Sequence, residues 1–188
     1  MESLKPIDQV LEGDVRHTYF GQYSVEVFHS QASAANLSEA VPHSIRNHFA
    51  TAQNLLVYSW FFYPFQMTAQ LHAYASVEFA LRTRFDIPPK QGKFKDMLAR
   101  AVKEGLVRDG GFDLYPVRLG QNYSIPNGED VRVVSSYAEV LVEVIPKLRN
   151  ELAHGSTMLF NGVGGTLRIC ADIINQLFEE RPPGASVI

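Results

Sequence analysis

Near the end of the chain, the stretch "PKLRNELAHGST" sets Arg149, Asn150 and His154 close together in sequence. These residue types suit proton transfer and the binding of an anion. An arginine offers a planar fork that matches phosphate oxygens and stays charged throughout. An imidazole exchanges protons near neutral pH. An asparagine amide can orient either the imidazole or the phosphate by hydrogen bonds. Such a trio could exchange a proton beside a bound anion, if the three side chains can reach one another.

Whether the three can cooperate depends on the helix that carries them. At about 100° per residue, with Arg149 set at roughly 0°, Asn150 falls near +100° and His154 near +140°. Tyr137, Leu141, Val144, Ile145, Leu148 and Leu152 fill an arc from about −140° to −40°, the expected core stripe. Asn150 and His154 therefore share a face turned away from the core. Arg149, at the edge of the stripe, reaches them by bending its side chain round or from a second copy of the helix. The structural alternative is a plain helix end. Basic side chains favour the last turn, and Gly155 suits the residue that follows it.

The elements that must hold this helix in place read as all-α. Residues 42–63 form a first helix, broken by Pro64, which lacks a backbone donor. Residues 65–85 form a strong second helix with Met67, Leu71, Tyr74, Leu81 and Phe85 at helical steps, ended by "DIPP". A shorter amphipathic helix carries Phe94, Leu98, Val102 and Leu106. Residues 108–131 are rich in Gly, Pro, Asn and Asp and read as a long loop or small hairpin. A long helix over 133–153 and a last one over 165–180 complete the set, with "GVGGT" (162–166) as the turn between them. Residues 1–40 carry little helical period, and "YSVEVF" alternates enough to be a short strand or extended arm. The expected architecture is a bundle of about five helices over 41–182, preceded by an irregular N-terminal arm and followed by a tail from 183.

At this point the residues carry a family resemblance. Arg149-Asn150 followed by His154 matches the R-x4-H motif of the HEPN superfamily, and "LRNELAHG" resembles a common form of it. "ASVEFALRTRF", with Glu78, Leu81 and Arg82, resembles the helix that carries an E-x-x-LR pattern there, and "ARAVKEGLV" resembles a segment that often lies between the two. The resemblance spans roughly 42–180. It leaves the first 40 residues and the 108–131 loop unexplained.

The resemblance implies a HEPN-like helical bundle that forms a homodimer and brings two R-x4-H motifs to one cleft. It also implies a metal-independent endoribonuclease, with toxin–antitoxin or phage-defence systems as the setting and an antitoxin protein as a partner. Other members keep the fold only to bind a nucleotide, RNA or a protein, so that reading stands as the alternative. Arg149, Asn150 and His154 are then the catalytic candidates. RNA would supply its own nucleophile in the 2′-OH.

Glu78 interrupts an apolar helix, so it is expected to be half-buried and paired with Arg82 or Arg149 in a supporting role. Residues 82–108 hold eight basic against three acidic side chains in a chain of net charge −3. Arg82, Arg84, Lys93 and Lys95 in that stretch are candidates for tracking an RNA backbone. A solvated helix face explains the same charges equally well.

Other chemistry finds little footing. His17, His29, His43, His48, His72 and His154 show no H-E-x-x-H spacing, so no metal site and no cofactor are expected. Cys170, alone among apolar neighbours, reads as a buried inert thiol. "LLVYSWFFYPF" is about half the ~20 residues a membrane span needs. It reads as core, with a partner-binding helix as a third functional reading. With no signal-peptide pattern at the start of the sequence, a cytoplasmic protein is expected.

Overall fold

The computed structural model describes residues 4–19, 21, 24–113, 136–155 and 162–180 of the 188. Six α-helices carry the fold among these residues: α1 (Val25–Ser33), α2 (His43–Tyr58), α3 (Phe65–Phe85), α4 (Phe94–Lys103), α5 (Tyr137–Ala153) and α6 (Val163–Phe178). There is no strand among the described residues. The expected all-α bundle is present, with one helix more than the periodicity suggested.

Central to the packing is α3, which touches α2 and α6 most extensively and α4 and α5 as well. Its sequence explains why. Ala69, Ala73, Ser76 and Ala80 are fully buried at helical steps, and such small side chains let neighbouring helices approach closely. Tyr74, Val77 and Leu81 fill the remaining arcs of the same helix. By contrast, α4 is one-sided: Phe94, Met97, Leu98 and Ala101 are buried while Lys95, Asp96, Arg100 and Lys103 face solvent.

Two sequence expectations are corrected. "YSVEVF" does not give a strand: Val25–Ser33 is helical, and its Phe28 and Ala32 enter the common core. Alternating Val25 and Val27 imitate a strand, but burial against α2 and α6 decides the conformation. "GVGGT" is not a free-standing turn either. Gly162 caps α6 at φ 113°, and residues 163–166 form its first turn. Gly164 sits against α1 there, since a Cβ would meet the Gln31 side chain, 2.8 Å from its Oε1 and 3.0 Å from its Cβ.

Segment 4–19 is anchored on the turn between α2 and α3 through Asp14. Its buried carboxylate accepts from the Tyr63 amide at 2.9 Å and from Arg16 Nε at 2.8 Å and Nη2 at 2.6 Å. His17, also buried, donates from Nε2 to the Ser59 carbonyl at 2.9 Å. The stretch read as core divides accordingly. Leu56 and Tyr63 are buried, Trp60, Phe61 and Phe62 are half-buried, and Tyr58 is 54% exposed.

At the other end, Asp109 fixes the start of α5. Its carboxylate accepts from the backbone amides of Tyr137 at 3.1 Å and Ala138 at 2.9 Å, and from the Ser136 hydroxyl at 2.8 Å. A helix N-terminus leaves such donors unsatisfied and favours negative charge, so Asp109 caps α5 from a distance in sequence. Most of the expected 108–131 loop (114–131), the expected helix start at 133–135 and the tail beyond 180 lie outside the described residues.

Candidate functional site

The polar trio closes α5. Asn150 and His154 are both exposed, as the helical wheel places them. His154 occupies the C-cap, its amide donating to the Asn150 carbonyl at 3.0 Å. Gly155 follows at φ 87° and donates to the Leu152 carbonyl at 3.2 Å, the left-handed closure expected of a glycine in this place. The His154 imidazole has no hydrogen-bond partner among the described residues. Pro146, inside the same helix, is buried without ending it. One wheel assignment is corrected: Val144, placed in the core stripe, is 40% exposed.

Arg149 turns two ways from the edge of the stripe. Its Nη1 donates to Asn150 Oδ1 at 3.2 Å, so the side chain does bend toward the outward face. Its Nη2 donates to Glu78 Oε2 on α3 at 2.8 Å. The other oxygen, Oε1, accepts from Arg82 Nη2, also at 2.8 Å. Glu78 is thus a half-buried carboxylate shared by two guanidinium groups, each on its own oxygen. It pairs with both of the partners named for it. The cluster carries two positive charges against one negative, which suits an anion near the exposed part of Arg149.

The remaining basic candidates divide. Arg82 is only 18% exposed, and beyond Glu78 its fork donates to the carbonyls of Pro88, Gln91 and Gly92. Lys95 pairs with Glu143 at 2.7 Å, and Arg108 with Glu179 at 2.8 Å. The local positive excess is therefore partly neutralised by carboxylates from outside the stretch. Arg84 and Lys93 are exposed, with no ion-pair partner among the described residues.

Three features escaped the sequence reading. A cavity of about 370 Å³ lies between α3, α5 and α6, lined by Gln70, Tyr74, Val140, Val144, Leu148 and Thr166 among others. Gln70, Tyr74, Glu78 and Arg82 step by four along α3, so they form one polar row, a spacing visible in the sequence once α5 is known to face it. A second polar cluster joins α2 to α3. The His48 and His72 rings stack at 4.2 Å, His48 Nδ1 meets Ser76 Oγ at 2.8 Å, and His72 Nε2 donates to the His48 carbonyl at 3.0 Å. Burial, and the neighbouring His72 ring, hold the His48 imidazole below its usual protonation range. Third, Asp172 on α6 accepts from the Asp113 amide at 3.3 Å, and burial with the Asp113 carboxylate pushes its carboxyl up to about 6.

Cys170 is fully buried, and that burial pushes its thiol far above the ordinary range, with the Asp172 carboxylate adding to the effect. Among the described residues, no group of three or more His, Cys, Asp or Glu side chains is arranged to hold a metal ion. Nor is any helix among them long and apolar enough to cross a membrane.

Comparison of the chain with models of known protein families, with curated proteins and with solved structures finds no match. Fold and site together define a class by architecture alone. It is an all-α bundle of six helices among the described residues, carrying a solvent-facing Arg-Asn-His turn backed by a shared glutamate.

Proposed function

We propose that this chain is a metal-independent endoribonuclease of the HEPN type, acting as a homodimer in which two Arg149–His154 turns meet at one cleft. The observation that carries the reading is the last turn of α5. Arg149 is oriented by Glu78 while Asn150 and His154 face solvent beside it. In this mechanism one His154 removes the 2′-OH proton, and the oxygen attacks the adjacent phosphorus in line. The bond to the 5′-oxygen breaks, and the second copy's imidazole protonates the leaving alkoxide. Arg149 stabilises the phosphorane charge, and the products are a 2′,3′-cyclic phosphate and a 5′-hydroxyl. A toxin or defence-effector role, with an antitoxin as partner, belongs to the same reading.

One observation favours the alternative, a non-catalytic module that binds RNA, a nucleotide or a protein. Two donors of the Arg149 fork are already engaged by Glu78 and Asn150. The deciding experiment is cleavage of mixed-sequence RNA in EDTA by the wild type and His154→Ala, with mass spectrometry of the product ends. Cyclic phosphate ends that vanish in the variant support catalysis. Cleavage that survives the substitution removes His154 from the mechanism, and RNA binding without cleavage selects the module.

A further inference from the structure

We propose that Arg82 is a positioning residue of the Arg149 site rather than a contact to its ligand. This rests on reading Arg149 as the phosphate-facing group. The Arg82 fork joins the Glu78 carboxylate to the carbonyls of the connection from α3 to α4. Nη2 donates to Glu78 Oε1 at 2.8 Å and to the Gly92 carbonyl at 3.4 Å. Nη1 donates to the Pro88 carbonyl at 3.2 Å and to the Gln91 carbonyl.

That connection carries a disfavoured backbone, closed in part by its own hydrogen bonds: the Ile87 amide donates to the Arg82 carbonyl at 2.9 Å and the Gln91 amide to the Pro88 carbonyl at 3.2 Å. Asp86 and Lys90 sit at φ 52° and 69°, in the left-handed region that side chains bearing a Cβ disfavour. Arg82 adds to these bonds by gathering the Pro88, Gln91 and Gly92 carbonyls around one guanidinium. The same guanidinium fixes the plane of the Glu78 carboxylate, because each oxygen is assigned to a different arginine. Removing Arg82 frees the carboxylate to rotate, and the Nη2 of Arg149 loses its fixed acceptor. Order in residues 86–92, where Lys90 and the following Lys93 face solvent, is thereby felt at Arg149. A lysine is no substitute, since a single ammonium with three donors cannot span a carboxylate and three carbonyls.

The test is the guanidinium spectrum of Arg149 in nitrogen-15-labelled protein at low temperature, assigned with Arg149→Lys. In the wild type the Nη signals are expected to be resolved, because hydrogen bonds to Glu78 and Asn150 restrict rotation. In Arg82→Gln they are expected to collapse into one averaged signal while the backbone amide spectrum outside 78–93 is retained. Arg82→Lys, which keeps the charge, provides a second variant if the first fails to fold, and is expected to give the same collapse. Unchanged Arg149 signals in a folded variant overturn the proposal.

Where the wild type cleaves RNA, Arg82→Gln should lower kcat by up to about 100-fold with little change in KM. A raised KM with kcat intact would instead make Arg82 an RNA contact and also overturn it. If the wild type cleaves nothing, the ribonuclease reading fails, yet the Arg149 spectrum still decides the role of Arg82.

Discussion

Glu78 Oε2 receives Arg149 Nη2 at 2.8 Å, joining residues 71 positions apart in sequence. The contact draws α5 to α3 one helical step beyond Tyr74, so the arginine at the edge of the apolar stripe is fixed by the central helix of the fold. Glu78→Gln removes the shared charge and leaves one amide oxygen for two guanidinium groups. The expected cost is about 1–3 kcal/mol, read by urea unfolding. RNA cleavage, if present in the wild type, should fall as well. His154→Ala, by contrast, is expected to stay within about 0.5 kcal/mol of wild type because the imidazole is exposed.

Gly155 closes α5 at φ 87°, and among the described residues nothing lies within 4 Å of where a Cβ would stand. Any cost of Gly155→Ala is therefore conformational rather than steric. We expect a loss of about 1–2 kcal/mol in thermal unfolding. Gly110→Ala, with equal space and no left-handed φ, should change stability by no more than about 0.5 kcal/mol.

Asp14 ties segment 4–19 to the turn beneath it. Burial pushes its carboxyl up, but hydrogen bonds from Arg16 and Tyr63 outweigh that and hold it well below the ordinary range. A depressed folded value means that its contribution is complete above the unfolded value of 3.8 and is lost as pH falls below it. Asp14→Ala should cost about 1–3 kcal/mol at neutral pH. It should also shift Trp60 fluorescence to the red, since Gly13 lies against that indole.

The His48 imidazole, lowered by burial and by His72, contributes in the opposite sense to a histidine held by a carboxylate. Between its folded midpoint and 6.5 the unfolded chain binds more protons, so stability rises with pH across that window. A nitrogen-15 titration of the imidazoles should place the His48 midpoint below 6.5. His72→Gln should move it upward by removing the neighbouring charge, and an unmoved midpoint would leave burial as the sole cause.

Asp172 has a raised folded value, about 6 against 3.8, so the wild type loses stability from this group as pH rises between the two. Asp172→Asn keeps an acceptor for the Asp113 amide and removes the charge. The melting temperature of the variant relative to wild type should therefore increase from pH 4 to pH 7. An equal difference at both pH values would assign the effect to packing instead.

Much of the architecture is legible in the residues. The apolar spacing and the "DIPP" stop delimit α3 at 65–85, where the structure places it. The wheel drawn on α5 correctly turns Asn150 and His154 outward. It overstates the core at Val144, because α5 is apolar over a wider arc than its neighbours cover. α1 is hidden for a related reason. Its nine residues bury only Phe28 and Ala32, too few to mark a period, and its valines alternate like a strand.

Local spacing reports which side of a helix is apolar and where a helix stops, since both follow from backbone geometry and nearby side chains. It also marks Glu78 as a charge needing a partner, because an apolar helix cannot bury it alone. It cannot say which partner supplies the answer. That Glu78 divides its oxygens between Arg82 and Arg149, that His48 stacks on His72, and that Asp109 caps α5 all depend on tertiary packing. The distance between residues far apart in the chain is set by how whole helices cross, and no window of sequence contains that angle.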